Sequence, residues 1–390
     1  MKWQIPGINL KLQHEPIQEE INEAIRQVLQ HQAFILGPEV GQLEEAVARI
    51  AGCSHAVGCA SGSDALLLAL MALSIGPGDR VLVPTLTFFA TAGSVARSGA
   101  VPVFVDIDPR TFNLDPKATE RILRLQAKSD RCKAMIPVHL YGQCADMDPL
   151  SELASEYNLA LIEDAAQAIL AQYRQRPAGS MGICGCFSFF PTKNLGAFGD
   201  AGLITTRDFG LAERLRMLRN HGAVQKYVHA SVGINSRLDT LQAAVLLVKL
   251  RYLEKWTLLK QSKAEFYRTA FQEAGLSHAE QTYPGQKWPV VLPYPAHEGC
   301  HVYHQFTIRV HRRDELRSYL ASKGIEAVVH YPVPLHLQPA FSFLGGKVGE
   351  CPEAERAVQE VLSLPIYPEI TEDQQNKVVE EIKNFYTRLA

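Results

Sequence analysis

The stretch Cys186-Phe187-Ser188-Phe189-Phe190-Pro191-Thr192-Lys193-Asn194-Leu195-Gly196 joins an apolar run to a single lysine in a glycine-rich loop. Cys186 to Phe190 has the length and aromatic content of a buried strand. Pro191, which has no N–H to give a ladder, ends it. Gly196, Gly199 and Gly202 follow. A lysine at the mouth of a buried strand is partly stripped of water. That disfavours the ammonium form and lowers its pKa, as a Schiff-base lysine requires. The competing reading is a surface lysine on a connecting loop, and the surrounding chain has to decide between the two.

Upstream, short apolar runs alternate with helical patterns. Residues 15–32 carry Ile17, Ile21, Ala24, Ile25, Val28 and Leu29 on one helical stripe, and Pro38 opens a second amphipathic helix reaching Gly52. Strands are predicted at 56–60, 80–83, 101–106, 134–138 and 159–164. Helices are predicted at 65–73, 87–98, 116–127 and 147–157. This alternation argues for an α/β fold with a mostly parallel sheet flanked by helices. A long helix over 236–259 closes this half. Beyond it lie a strand at 305–310, a helix at 314–323, a strand at 327–331, and helices at 353–362 and 372–389. The Pro- and Gly-rich segment 283–299 is read as a loop. Two domains are expected: 1–250, a large α/β domain with an N-terminal helical segment, and 251–390, a smaller α+β domain.

Composition bounds the function. The chain has 390 residues, is 47% hydrophobic and 21% charged, and carries a net charge of -2. A near-neutral balance gives no electrostatic footprint for nucleic acid or an anionic membrane. Arg214, Arg216 and Arg219 are spaced as one helix face, read as a solvated or phosphate-facing surface. No signal-peptide h-region and no apolar run of spanning length is present, so a cytoplasmic protein is expected. The eight cysteines show no Cys-x-x-Cys pair. Cys184 and Cys186 alternate on one strand face and read as core thiols rather than metal ligands.

Open parallel sheets bind ligands beyond the carboxyl ends of their strands, so the residues just past each strand matter most. Ser61-Gly62-Ser63-Asp64 enters a helix. It suits either an anion held by free N–H groups or an ordinary N-cap. Thr85-Leu86-Thr87-Phe88-Phe89 offers an aromatic that can stack on a planar ring, or a core phenylalanine. Glu163-Asp164-Ala165-Ala166-Gln167 puts adjacent carboxylates at the end of an apolar strand. Burying them is unfavourable unless one meets a cation such as a protonated ring nitrogen. Gln167 can then reach a ring substituent. Lys193 follows the central strand, with Ser188 behind it. An anion seat, a stacking ring, a carboxylate and an amine on one sheet fit pyridoxal phosphate.

From about residue 8 to the C-terminus the chain resembles the DegT/DnrJ/EryC1/StrS nucleotide-sugar aminotransferases, which have the type I fold of aspartate aminotransferase. The resemblance lies in Ala60-Ser61-Gly62-Ser63-Asp64-Ala65-Leu66, residues 84–90, Pro137-Val138-His139-Leu140-Tyr141-Gly142, residues 162–167, residues 188–202, residues 235–244 and His330-Tyr331-Pro332. It implies that Lys193 carries pyridoxal 5'-phosphate, Asp164 pairs with the pyridine nitrogen, Gln167 meets the ring hydroxyl and Phe88 stacks on the ring. Gly62, Ser63 and Ser188 would bind the phosphate. Ser63 stands where most relatives have threonine, which keeps the hydroxyl. Asn235 would reach the cofactor phosphate of a neighbouring subunit, making a homodimer with shared sites. Arg237, His330 and Tyr331 would lie near the substrate. For Arg237 the alternative is a structural ion pair with Asp239, and for His330 a packed loop histidine.

Members with histidine in place of the lysine are dehydratases, so Lys193 favours transamination. The amino donor implied is L-glutamate. The wording of residues 232–242 and 330–335 is most like members acting at C3 of UDP-2-acetamido-3-keto-uronates or dTDP-3-keto-6-deoxyhexoses. C4 amination of a GDP- or UDP-4-keto-6-deoxy sugar is the second reading. A non-catalytic regulatory protein that binds the cofactor is a third. An amino-acid aminotransferase would be expected to place a carboxylate-binding arginine in the small domain. Arg309, Arg312, Arg313 and Arg317 are the candidates, but their pattern reads as strand end and helix surface.

Overall fold

The computed structural model describes residues 3–126, 131–296 and 299–388. Its central element is a seven-stranded sheet: β1 (His55–Cys59), β2 (Arg80–Pro84), β3 (Val101–Val105), β4 (Cys132–Met135), β5 (Ala160–Asp164), β6 (Cys184–Ser188) and β7 (Gly202–Thr206). The spatial order is β1-β7-β6-β5-β4-β2-β3. The pairs β6/β5, β5/β4, β4/β2 and β2/β3 are parallel. Strand β7 is antiparallel to both β6 and β1. Strand β1 therefore runs with the other five, and only β7 is reversed. Six carboxyl ends share one edge of the sheet, and the site is built there.

Apolar side chains cover both faces. Phe187 and Met135 pack with Leu43 of α2 (Pro38–Ile50) on one face. Cys184, Cys186 and Ile136 pack with Leu66 and Leu68 of α3 (Gly62–Ala72) on the other. The two thiols share a face as strand alternation requires. Cys184 and Cys186 are buried thiols in no disulfide. Helix α3 buries Leu66, Leu67, Leu68 and Leu70 around its whole circumference. That is the pattern of a helix inside the molecule rather than on its surface.

The C-terminal part builds an antiparallel sheet from β8 (Val290–Val291), β9 (Phe306–Val310) and β10 (Val361–Leu364). Tyr267, Phe271, Phe306, Leu316, Val378 and Ile382 form its core. Ile5, at the other end of the chain, joins this core. Its N–H and that of Gln4 bond the Gly324 carbonyl.

The structure corrects several expectations. The sequence reading assigns no strand between Lys193 and Ser236, whereas β7 occupies Gly202–Thr206. The helix expected over 236–259 is two helices, α8 (Thr240–Leu250) and α9 (Leu253–Glu273), broken at Arg251–Tyr252. The apolar stripe continues across the break, so periodicity alone does not reveal it. The strand expected at 327–331 is a single bridge, Val328 to Ser363. The helix expected to reach Leu362 stops at Glu360, and Val361 starts β10. There pairing with β9 overrides helical periodicity. Arg219 does not lie on a solvated face: it is buried, with Nη1 2.5 Å from Glu44 and 2.6 Å from the Gly58 carbonyl. The end of the last expected helix, Leu389, lies outside the described residues.

Candidate active site

Four strand ends and two distant segments, one with His304 and Gln305 and one with His330 and Tyr331, meet around a cavity of about 450 Å³. After β1, Ser61 caps α3, its hydroxyl accepting from Asp64 N at 3.1 Å. This leaves the N–H groups of the helix start, at Gly62 and Ser63, facing the cavity edge. The cradle is tight. A Cβ on Gly62 would stand 2.6 Å from the Ser188 Cβ, and one on Gly202 would stand 2.3 Å from the Ser61 backbone. Register explains this: Gly202 pairs with Cys59 on one side and Ser188 on the other. The close approach brings the Ser188 hydroxyl to the helix N-terminus.

Phe88 follows β2. The helix expected from Thr87 begins only at Ala90, so Thr87 and Phe88 stay in a loop at the strand mouth. Phe88 is 55% exposed, lines the cavity and stands 5.9 Å from the Tyr331 ring. A large apolar ring left half in solvent beside a cavity is available to stack on a ligand.

The adjacent carboxylates at the end of β5 point to opposite faces. Glu163 is fully buried and accepts from Gly179 N (2.7 Å), Met181 N (2.6 Å) and Gly182 N (2.7 Å). His139 Nε2 stands 2.8 Å from it, while Ala145 N donates to His139 Nδ1, which makes Nε2–H the donor to Glu163. No ligand is needed to satisfy Glu163; it holds the 179–182 turn against the sheet. Glu163→Gln is expected to lower unfolding stability by about 3 kcal/mol, because an amide NH₂ must then face backbone N–H groups. A denaturant titration of the cofactor-free protein measures this, and a change below about 0.5 kcal/mol would refute the assignment.

Asp164 faces the cavity. Its Oδ2 accepts from Thr91 Oγ1 at 2.8 Å and its Oδ1 from Ala166 N at 3.2 Å. Burial pushes its pKa up, opposed by these two hydrogen bonds and by Lys193 and His139. Such a carboxylate gains from a cation placed beside it. Gln167 is buried, its Oε1 accepting from Tyr141 N (2.7 Å) and its Nε2 donating to Tyr331 OH (3.2 Å). That leaves one amide N–H for a ligand.

Lys193 lies beyond β6, as its position after the aromatic run implies. Desolvation lowers its pKa to about 8, with Asp164 acting in the opposite sense. Lys193 is half-buried and lines the cavity, which a lysine on an outward-facing connecting loop would not. His330 and Tyr331 reach the cavity from the C-terminal part. His330 Nδ1 stands 2.9 Å from Ser363 Oγ, and Tyr141 OH donates to the His330 carbonyl. Burial and Lys193 lower the His330 pKa to about 4.

Two expected residues are elsewhere. Asn235 is exposed and does not line this cavity; its backbone bridges Asn220. Arg237 donates from Nη1 to Asn220 Oδ1 at 3.0 Å, and among the described residues it makes no ion pair with Asp239. The candidate carboxylate-binding arginines are also absent from the cavity. Arg309 is buried against Glu360 at 2.7 Å, Arg312 pairs with Glu315, and Arg313 pairs with Asp314.

The cavity also takes in His304, Gln305 and Asp200, which sequence reasoning missed. His304 and Gln305 precede β9, at the amino end of a strand in the other sheet. A search confined to carboxyl ends cannot find them. His304 Nδ1 is buried without a partner. Its pKa is held well below the usual value by burial and by the Lys193, Lys260 and His330 charges.

The DegT/DnrJ/EryC1/StrS aminotransferase family model matches residues 15–383. The chain belongs to this family. It is 47% identical over 386 residues (99% of this chain, 100% of the relative) to a "pleiotropic regulatory protein" of Geobacillus stearothermophilus. It is 43% identical over 385 residues (99% and 97%) to a dTDP-3-amino-3,4,6-trideoxy-alpha-D-glucose transaminase of Streptomyces venezuelae. It superposes on the crystal structure of S. venezuelae DesV in complex with a ketimine intermediate with a TM-score of 0.91, at 43% identity, covering 99% of each chain. The protein is thus a pyridoxal-phosphate-dependent aminotransferase of the type I α/β fold. Its own residues fit the cofactor: a helix N-terminus too tight for a side chain suits a phosphate, a raised buried carboxylate suits a pyridinium, and a half-buried amine with a lowered pKa suits an aldehyde. Among the described residues no acidic, His or Cys cluster suits a metal ion, and no helix is long and apolar enough to cross a membrane.

Proposed function

We propose that this aminotransferase moves an amino group from L-glutamate to the C3 keto group of a nucleotide-linked sugar, a dTDP-3-keto-6-deoxyhexose or a UDP-2-acetamido-3-keto-uronate. The observation that carries the chemistry is the convergence of Lys193, Asp164, Phe88 and the Gly62–Ser63 helix start on one cavity. The position of amination rests on the likeness to the Streptomyces transaminase, whose name specifies a 3-amino sugar.

Pyridoxal phosphate, when bound, supplies an electron sink for the bonds at the amino-bearing carbon and carries the amino group between two half-reactions. In this reading Lys193 holds the cofactor covalently. Its free amine then takes the proton from the donor's Cα and returns one to C3 of the sugar. Asp164 keeps a proton on the ring nitrogen, and Thr91 orients Asp164. Gly62, Ser63 and Ser188 bind the phosphate, Phe88 covers one ring face, and Gln167 donates to the ring hydroxyl. His330 and Tyr331 face the sugar. Arg237, which lies outside this cavity with Asn235, belongs in this reading to the sugar site of the neighbouring subunit.

We assign the site to a homodimer. Phe34, Ile35 and Leu36 form a consecutive exposed apolar run, and Phe190, at the cavity rim, is 49% exposed. A wall left open on its apolar side is completed by a second copy. Asn235, exposed and outside its own cavity, is the residue offered to the partner's phosphate. Mixing Lys193→Ala and Asn235→Ala subunits places both lesions in one site of the heterodimer and leaves the other intact. That heterodimer is expected to regain about half the activity of the parent dimer. No recovery above either homodimer would refute shared sites. The domain division proposed is 1–250 and 251–390, and the location proposed is the cytoplasm, where buried thiols such as Cys59, Cys144, Cys184 and Cys186 stay reduced.

Incubating the purified protein with pyridoxal phosphate and L-glutamate, then with each keto-sugar, and locating the new amine by NMR tests the substrate. Amination at C4 replaces the C3 reading. A cofactor-loaded protein that turns over no sugar supports the regulatory reading, which the name of the 47% identical relative favours.

A further inference from the structure

A buried ammonium group lies beneath the site with no part in the chemistry above. Lys260, on α9, is 6% exposed. Its Nζ donates to Asn194 Oδ1 at 2.9 Å and to the His304 carbonyl at 3.2 Å. Asn194 follows Lys193 directly, and its own Nδ2 donates to the Val302 carbonyl at 3.0 Å. The loop bearing Lys193 and the segment bearing His304 are thus joined through one ammonium and one amide. They come from parts of the chain about a hundred residues apart. Nothing covalent sets the distance between the two cavity-lining groups.

The electrostatics are those of a group retained against its burial penalty. Desolvation lowers the Lys260 pKa to about 7, and Glu369 acts against this. Glu369 and Lys260 line one space of about 20 Å³, and one Glu369 carboxylate oxygen is buried with no hydrogen-bond partner among the described residues. A methionine would fill the same volume without desolvating a charge. What it would not do is donate to two acceptors on opposite sides of the site. On the far side of the same loop, Lys249 Nζ donates to the Gly196 carbonyl at 2.6 Å. The loop is therefore held from consecutive helices at both ends.

We propose that Lys260 is a positioning residue: by tying Asn194 to the His304 carbonyl it fixes the Lys193 amine against the His304 imidazole. The inference rests on Lys193 being the cofactor lysine. In the dimeric, cofactor-loaded enzyme, Lys260→Met is expected to slow the single-turnover reaction with L-glutamate by about ten- to hundredfold, the scale of a small misplacement of reacting groups. KM should stay within about twofold, because no substrate contact is lost. Lys260→Arg keeps the donors and should restore most of the rate. Asn194→Ala breaks the tie from the other side, and the double variant should be no slower than the slower single one, since both remove one connection.

The proposal is overturned by a Lys260→Met rate within twofold of the parent, by a loss that arginine does not restore, or by single losses that multiply in the double variant. Covalent cofactor attachment surviving Lys193→Ala would instead sink the reading of Lys193, whatever Lys260 does.

Discussion

Lys193→Ala is expected to reduce turnover by at least about 10³-fold, because in the role proposed for Lys193 one substitution removes both the covalent attachment and the acid–base group. The variant should fold. Lys193 sits at the cavity wall, and the loop is held independently by Lys249 and Lys260. Incubation with pyridoxal phosphate should then give only the spectrum of free cofactor. Small primary amines added to the variant should restore part of the rate, and an unaffected rate would remove Lys193 from the chemistry. The pH dependence follows from the same environment. With the amine's pKa lowered to about 8, the neutral form that attacks the cofactor's aldehyde dominates above that pH. The rate of cofactor uptake by the wild-type protein should rise with pH through about 8 and then level off, and a stopped-flow series from pH 6 to 10 measures it. A midpoint near the ordinary lysine value would show that the amine is solvated.

Asp164→Ala is the second large expected effect, a loss of about 10³-fold in kcat. In the reading proposed for it, Asp164 would keep the ring nitrogen protonated, and without that carboxylate the cofactor would lose its power to withdraw electrons. The substitution has a second, separable consequence. The Asp164 charge raises the Lys193 pKa against desolvation. Removing that anion destabilises the ammonium, so the midpoint for cofactor uptake should move below about 8. A midpoint moving upward would show that the two groups do not face one another. Thr91→Val, which removes the hydroxyl donating to Asp164, should act in the same direction on kcat with a smaller loss. Equal losses in the two variants would mean that Asp164 acts only through its orientation.

Much of this architecture was legible from local pattern. The 80–84, 101–105 and 160–164 strands and the helices at 38–50, 116–126 and 147–156 follow from apolar periodicity and from Pro38 and Pro116 at helix starts. Lys193 stands out because it follows an apolar aromatic run, although the strand is Cys184–Ser188 rather than the expected Cys186–Phe190, and Phe190 is exposed. Gly62, Phe88 and Asp164 stand out because parallel sheets gather ligands at carboxyl ends, and the structure brings all four to one cavity. The pairing of each residue with one part of the cofactor, and a role for the exposed Asn235 in a neighbouring site, are implied by the family resemblance and not by spacing.

Other features depend on contacts between distant parts of the chain. Glu163 and Asp164 are neighbours of the same type. Only the strand's alternation, read against the 179–182 turn and His139 on one side and Thr91 on the other, separates a structural carboxylate from one open to a ligand. Val361 continues a helical stripe, yet pairing with Arg309 in β9 makes it a strand. His304 has no signal in its own neighbourhood. It becomes a site residue because Asn194 and Lys260 bring its segment under the lysine loop. Periodicity and punctuation are properties of a few consecutive residues and can be read from them. The pKa shifts of Lys193, Asp164 and His304 come from burial and from charges on distant parts of the chain, such as Lys193 on His304, and only the folded chain brings these together.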